Sequence, residues 1–142
     1  MPLLNKEQIM EIIPHRAPFL LIDEITELEP GVRAVGKTYI KQDDFWFKGH
    51  FPEYPVTPGV LLIEMLAQVG AVCTLAMPEN KGKIAFFAGI DKAKFRRNVV
   101  AGDELTLEVE IIKAKANVGV GKATGYVEGK RAFSAEITFA LK

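Results

Sequence analysis

The chain has 142 residues, 49% apolar and 25% charged, which is the balance of a globular protein with a sizeable core. Lysine and arginine total 18, and aspartate and glutamate also total 18, so no net charge attracts nucleic acid or an anionic membrane. The single cysteine, Cys73, excludes an intrachain disulfide and fits a reducing compartment. We therefore expect one domain over residues 1–142, without a nucleic-acid or membrane partner.

Charges interrupt the first residues, where a signal peptide would carry an apolar run. This segment instead predicts a short helix over residues 6–13, with Asn5 as its N-cap and Pro14 as its end. Together with the lone cysteine, the missing export signal predicts a cytoplasmic protein.

Segments rich in Val, Ile and Thr predict two strands, over residues 19–29 and 32–41, joined by a turn at residues 30–31. An irregular stretch follows and carries the aromatic residues Phe45, Trp46 and Phe47. These rings either line a ligand channel or pack against the next helix, and the sequence leaves both alternatives open.

Residues 49–58 hold glycine and proline at close spacing, which predicts an irregular turn. Thr57 is placed to be the N-cap of a helix that starts near Gly59 and is apolar on nearly every face. Such a helix is normally buried on all sides. Glu64 and Gln68 nevertheless interrupt it, four residues apart and hence on one face.

Four further strands are predicted, over residues 84–97, 103–113, 118–127 and 131–141. The third of these places Gly119, Gly121, Ala123 and Gly125 on one face, and this bare face would let the long helix pack closely. The strands come in runs around the helices, without a βαβ rhythm, which predicts an α+β fold with an antiparallel sheet.

His50 lies on the irregular turn just ahead of Glu64. An imidazole base beside a carboxyl group that burial keeps protonated is suited to general acid–base chemistry. A purely structural pair is the alternative, because buried ionisable pairs are often structural. The chain has only two histidines, and no cysteine or carboxylate lies at ligand spacing around His50, so neither a metal nor a cofactor is expected. His15, on the loop after Pro14, is expected to tie loop backbone to the sheet.

A basic run comprises Lys92, Lys94, Arg96 and Arg97. If the strand is regular, the first three of these residues share one face. Such a stripe either protects an exposed sheet edge from aggregation or binds an acidic protein.

Three motifs carry a resemblance to a known family: GHFPEYPVTPGVLLIEMLAQ over residues 49–68, PHRAPFLLIDEI over 14–25 and KFRRNVVAGDEL over 94–105. Together they resemble the bacterial (3R)-hydroxyacyl-[acyl-carrier-protein] dehydratases of the FabZ type. Members of that family usually carry proline where this chain has Asn98 and Ala101.

The resemblance implies a hotdog fold, a long central helix wrapped by a curved antiparallel sheet. It implies dehydration of a (3R)-hydroxyacyl group on acyl carrier protein to the trans-2-enoyl product during fatty acid elongation. His50 and Glu64 would be catalytic and come from different subunits of a homodimer or a trimer of dimers. The Gly59 N–H would polarise the thioester carbonyl, and Gln68 would support the site. The resemblance also favours docking of acyl carrier protein on the basic run, and Phe86, Phe87 and Ile90 are candidates for the tunnel lining.

Related FabA-type enzymes, which also isomerise the double bond, carry aspartate where this chain has Glu64. Glutamate therefore favours a plain dehydratase over the bifunctional alternative. A thioesterase would not need His50, and a non-catalytic acyl-thioester sensor would need an added DNA-binding segment, so both are less favoured.

Overall fold

The computed structural model describes residues 2–142, which form two helices, six strands and short 3₁₀ turns at Phe45–Lys48 and Pro78–Asn80. The elements in chain order are α1 (Lys6–Ile12), β1 (Glu24–Glu29), β2 (Arg33–Tyr39), α2 (Gly59–Leu75), β3 (Ala85–Phe95), β4 (Glu104–Lys115), β5 (Val118–Val127) and β6 (Lys130–Leu141).

The six strands form one antiparallel sheet in the order β1-β2-β4-β5-β6-β3, so β1 and β3 are its edges. Helix α2 contacts all six strands, because the sheet wraps around it. The predicted α+β class, and the hotdog arrangement that the resemblance implied, are confirmed. Neither helix of the described part of the chain is long and apolar enough to cross a membrane.

The predicted first helix is confirmed to within one residue. Asn5 and Gln8 form a capping box, each side chain accepting a hydrogen bond from the other's backbone N–H. The predicted strand over residues 19–29 is too long at its start, since β1 begins at Glu24. Backbone groups of Phe19 and Leu21 bond instead to the side chains of Gln68 and Thr38, so side chains and not a neighbouring strand satisfy them.

The predicted N-cap of the long helix is wrong. Pro58 occupies that position, and the Thr57 hydroxyl instead accepts a hydrogen bond from Trp46 Nε1 at 3.2 Å. Trp46 and Phe47 are buried in the core, so packing explains these two aromatics. The helix itself is largely covered by its own sheet, but Val60 in its first turn remains 77% exposed.

The glycine face of β5 is approached by neighbouring strands and not chiefly by the helix, contrary to the prediction. A Cβ at Gly119 would lie 2.5 Å from the Phe139 ring, and one at Gly125 would lie 2.2 Å from the Phe133 ring. Both phenylalanines are on β6, directly opposite these glycines. The missing side chains therefore make room for aromatic rings that lie across the strand.

Candidate active site

Glu64 projects from α2 with its side chain only 15% exposed. Gln68, one turn later and completely buried, donates from Nε2 to Glu64 Oε2 at 3.0 Å. The same amide donates to Phe19 O and accepts from the Leu21 N–H, both at 2.8 Å. Gln68 therefore fixes the Glu64 carboxyl group to the loop before β1. The two side chains lie on the same face of α2, as their four-residue spacing predicted.

We expect Gln68→Leu to lower both stability and turnover. The substitution keeps approximate volume but leaves the buried Leu21 N–H without a partner and removes the donor to the Phe19 carbonyl, which lies at a more exposed position. Buried unsatisfied groups of this kind cost on the order of 1–3 kcal/mol each, measurable by urea unfolding.

The matched control for this substitution is Asn80→Leu, which also removes a buried amide but lies near the other end of α2, bonded to the Thr74 carbonyl at 3.0 Å. Asn80→Leu should lower stability while leaving kcat close to that of the unmodified enzyme. Equal kcat losses in both variants would contradict a positioning role for Gln68.

His15 lies beside Glu64, which the sequence did not predict. Its Nε2 is 3.6 Å from Glu64 Oε2, and its side chain is 19% exposed. Its Nδ1 is buried and has no hydrogen-bond partner within residues 2–142. The expectation that His15 ties loop backbone to the sheet is therefore wrong. The sequence signal that could have placed His15 at this site was its position in the motif over residues 14–25, because spacing alone does not connect that loop to α2.

His50 is held on its turn by backbone hydrogen bonds on both sides. Its N–H donates to Trp46 O at 3.1 Å, and its carbonyl accepts from the Val56 N–H at 3.0 Å. Its ring Nδ1 lies 3.0 Å from Val56 O. Since a carbonyl oxygen only accepts, the proton of the neutral ring is on Nδ1, and Nε2 carries the free lone pair of a base.

The loop after β3 supports the turn that carries His50. Val99 O accepts from the Thr57 N–H at 2.8 Å, and Asn98 Nδ2 donates to the Tyr54 hydroxyl at 3.2 Å. Asn98, which replaces the proline usual in the family resembled, thus supplies a side-chain bond between the two segments.

His50 and Glu64 do not meet within one protomer. Among residues 2–142, the polar neighbours of the Glu64 carboxyl are Gln68 and His15, and His50 forms no ion pair or hydrogen bond with it. The structure therefore positions an imidazole and a fixed carboxyl group on separate elements of the chain.

Gly59 opens α2 at a point where no side chain fits. A Cβ there would lie 2.9 Å from the Phe95 ring. Pro58 O accepts the first helical hydrogen bonds, from Leu61 and Leu62, so the N–H groups of Gly59 and Val60 precede them. The positive end of the helix dipole thus coincides with N–H groups that no helical hydrogen bond uses.

A narrow cavity of about 40 Å³, here called the proximal cavity, lies between α2 and the sheet. Among residues 2–142, only His15 and Glu64 contribute polar side chains to its lining, and the remainder is apolar. Phe87, one of the three candidates for the tunnel lining, lines this cavity. Phe86 and Ile90 do not line it in the described protomer and are 49% and 47% exposed.

The basic run does not form the regular stripe that the sequence predicted. A bulge interrupts β3 between Asp91 and Lys94, and the strand ends at Phe95, so the period-two alternation fails. Lys92 Nζ lies 3.7 Å from Glu136, and Arg97 bonds Asp103 at 3.1 Å. All four basic residues are nevertheless exposed.

Cys73 is buried in α2, as its apolar neighbours predicted. Burial raises the pKa of its thiol to about 11. A thiol with so high a pKa is mostly protonated near neutral pH, so Cys73 is a core residue and not a nucleophile.

Comparison with known proteins agrees with this geometry. The FabA-like domain family matches residues 13–136. The 3-hydroxyacyl-[acyl-carrier-protein] dehydratase FabZ of Clostridium novyi (strain NT) is 58% identical over 138 residues, covering 97% of each chain. The protein of the same name from Bacillus subtilis (strain 168) is 54% identical over 139 residues, covering 98% of this chain and 99% of that protein.

The fold also recurs in a solved structure, the dehydratase heterocomplex ApeI:P from Xenorhabdus doucetiae. It matches with a TM-score of 0.79 at 14% identity, over 100% of this chain and 91% of that chain. The family match over most of the chain and the relatives above half identity lead to one conclusion. The chain belongs to the FabA-like family, among the 3-hydroxyacyl-[acyl-carrier-protein] dehydratases of the FabZ type.

Proposed function

We propose that this chain is a hydro-lyase that removes water from a (3R)-3-hydroxyacyl group carried on acyl carrier protein, giving the trans-2-enoyl thioester in fatty acid elongation. The observation that carries the proposal is Glu64, a carboxyl group fixed by buried Gln68 at the polar part of an apolar cavity. An apolar cavity suits an acyl chain, and a positioned acid suits the loss of hydroxide. We place the reaction in the cytoplasm, where a lone thiol stays reduced.

In the proposed mechanism His50 Nε2 removes a proton from C2 of the substrate. The electron pair left on C2 forms the C2–C3 double bond as the C3–O bond breaks. Glu64 gives its proton to the departing hydroxyl group, which leaves as water. The Gly59 N–H stabilises the negative charge that develops on the thioester oxygen. Afterwards the imidazolium and the carboxylate return to their starting states by proton exchange.

Incubation with (3R)-3-hydroxydecanoyl-acyl carrier protein tests this function directly. Mass spectrometry should show loss of one water from the carrier-bound acyl group, and chromatography should identify the trans-2-enoyl isomer. A cis-3 product would instead indicate the bifunctional dehydratase/isomerase. Free acid would indicate a thioesterase, and unchanged substrate would reject the proposed function.

We propose that the active protein is a homodimer, or a trimer of dimers, whose sites take residues from two subunits. Val60, Glu64 and Ala67 share one face of α2 that its own sheet leaves incompletely covered. The edge strand β3 exposes the apolar side chains Phe86, Phe87, Ile90 and Phe95. A long apolar edge strand is a natural pairing surface for a second copy. In the proposed assembly the partner's His50 would approach Glu64, whose histidine neighbour within residues 2–142 of the protomer is His15.

Sedimentation at micromolar concentration should therefore show a dimer or a multiple of it. Phe86→Lys on β3 would test the edge, because Phe86 is exposed and a lysine on an edge strand disfavours pairing with a second copy. This variant should shift the distribution towards monomer and lose activity in parallel. A fully active monomer of the unmodified chain would contradict the shared site.

We propose that the basic run docks the acidic carrier protein. Lys94 and Arg96 are the members best suited to it, because among residues 2–142 they form no ion pair. The double substitution Lys94→Glu with Arg96→Glu should raise KM for carrier-bound substrate on the order of tenfold, with less effect on a pantetheine-linked analogue. Added salt should weaken the unmodified enzyme in the same selective way.

A matched control is Lys113→Glu with Lys115→Glu, at the exposed end of β4. It changes the net charge equally and should leave KM unaltered. Equal losses on carrier-bound and pantetheine-linked substrates after reversal of Lys94 and Arg96 would mean that these residues are structural.

A further inference from the structure

Two cavities lie in succession along α2. The proximal cavity is lined by Glu64, Ala67 and Ala71 of the helix. A second cavity of about 150 Å³, here called the distal cavity, is lined by Thr74 and by Met77 just beyond the helix end. The helix therefore runs from the polar part of the proximal cavity to the distal one.

The sheet shows the same succession. On β6, Ile137 and Phe139 line the proximal cavity, whereas Phe139 and Leu141 line the distal one. The paired strand β5 agrees, because Gly121 lines the proximal cavity and Gly119 the distal. Helix and sheet thus give the same order, and in the described part of the chain Phe139 is the one residue common to the two linings.

The Phe139 ring is fixed in this position. It lies across Gly119 so closely that a Cβ there would be 2.5 Å from a ring atom, and the side chain is 9% exposed. An aromatic ring packed against a glycine in a paired strand cannot move aside without disturbing the sheet. The ring is therefore a wall between the cavities and not a mobile side chain.

We infer that Phe139 limits the length of acyl chain that the enzyme accepts, and that the distal cavity is an acyl-binding space closed off by its ring. The inference rests on the proposed function, since the chain would enter beside Glu64 and extend along the apolar proximal cavity. Further carbons reach Phe139 and have no space to occupy. Removing the ring joins the proximal cavity to a larger volume, whose lining includes the apolar Ile111, Val118 and Leu141 as well as the polar Glu79 and Asn80.

Two variants test the inference, Phe139→Leu and Phe139→Ala, with kcat/KM measured for 3-hydroxybutanoyl and 3-hydroxyhexadecanoyl carrier protein. The long-to-short ratio should rise on the order of tenfold, since each extra buried methylene contributes measurably to discrimination. If Phe139→Ala does not fold, Phe139→Leu alone tests the inference. Activity on the short substrate reports separately on the proposed dehydration.

Phe133→Leu is the matched control, because Phe133 also lies on β6 with its ring across a glycine, Gly125, but lines neither cavity. It should reduce stability without changing the long-to-short ratio. A ratio that is unchanged or lower in Phe139→Leu, or that rises equally in Phe133→Leu, overturns the inference while leaving dehydration intact. Absence of dehydration of the short substrate by the unmodified enzyme would instead overturn the proposed function.

Discussion

His50→Ala should reduce dehydration by roughly two to four orders of magnitude, the scale of a lost general base. The reason is that Nδ1 donates to Val56 O, which leaves Nε2 as the free base of this turn. Steady-state kinetics on the carrier-bound substrate measure the loss. The fold should survive, because the turn is also held by the backbone bonds of His50 to Trp46 and Val56.

His50→Gln sharpens the test, because its amide can still donate to the Val56 carbonyl but has no basic nitrogen. Both variants should be equally inactive and should melt close to the unmodified protein. Turnover within tenfold of the unmodified enzyme in either variant would reject His50 as the base.

Glu64→Gln should cost a comparable two to four orders of magnitude. The substitution keeps the shape of the side chain and an oxygen that can accept from Gln68 Nε2, but it removes the acidic proton. Glu64→Asp keeps the acid and shortens the reach by one methylene, so its activity should be intermediate. Turnover of Glu64→Gln near that of the unmodified enzyme would mean that the carboxyl group is structural.

Local spacing predicted much of this site. Glu64 and Gln68 are four residues apart on a helix, and they do share a hydrogen bond at 3.0 Å. The alternation of apolar and polar residues in the sequence of β4 and β6 likewise matches which of their side chains are buried. Such patterns succeed because helix and strand periods determine which side chains face together.

Features that depend on distant segments could not be predicted from spacing. Thr57 has the side chain of a good N-cap, but its hydroxyl accepts a hydrogen bond from Trp46 Nε1 instead. His15 reaches Glu64 across 49 positions, through a loop whose path is set by the Gln68 bonds. A bulge in β3 breaks the alternation on which the basic stripe depended. Each of these outcomes is a tertiary contact that overrides a local preference.

The pairing of His50 with Glu64 across two subunits is the central claim, and mixing inactive variants tests it most directly. His50→Ala and Glu64→Gln are purified separately, combined under conditions of subunit exchange, and assayed for dehydration, with exchange confirmed by mass spectrometry of isotopically labelled subunits. If the site is shared, each mixed dimer holds one site with both groups and one with neither, so activity should return to a substantial fraction of that of the unmodified enzyme. No recovery despite confirmed exchange would place both groups in one subunit and contradict the shared site.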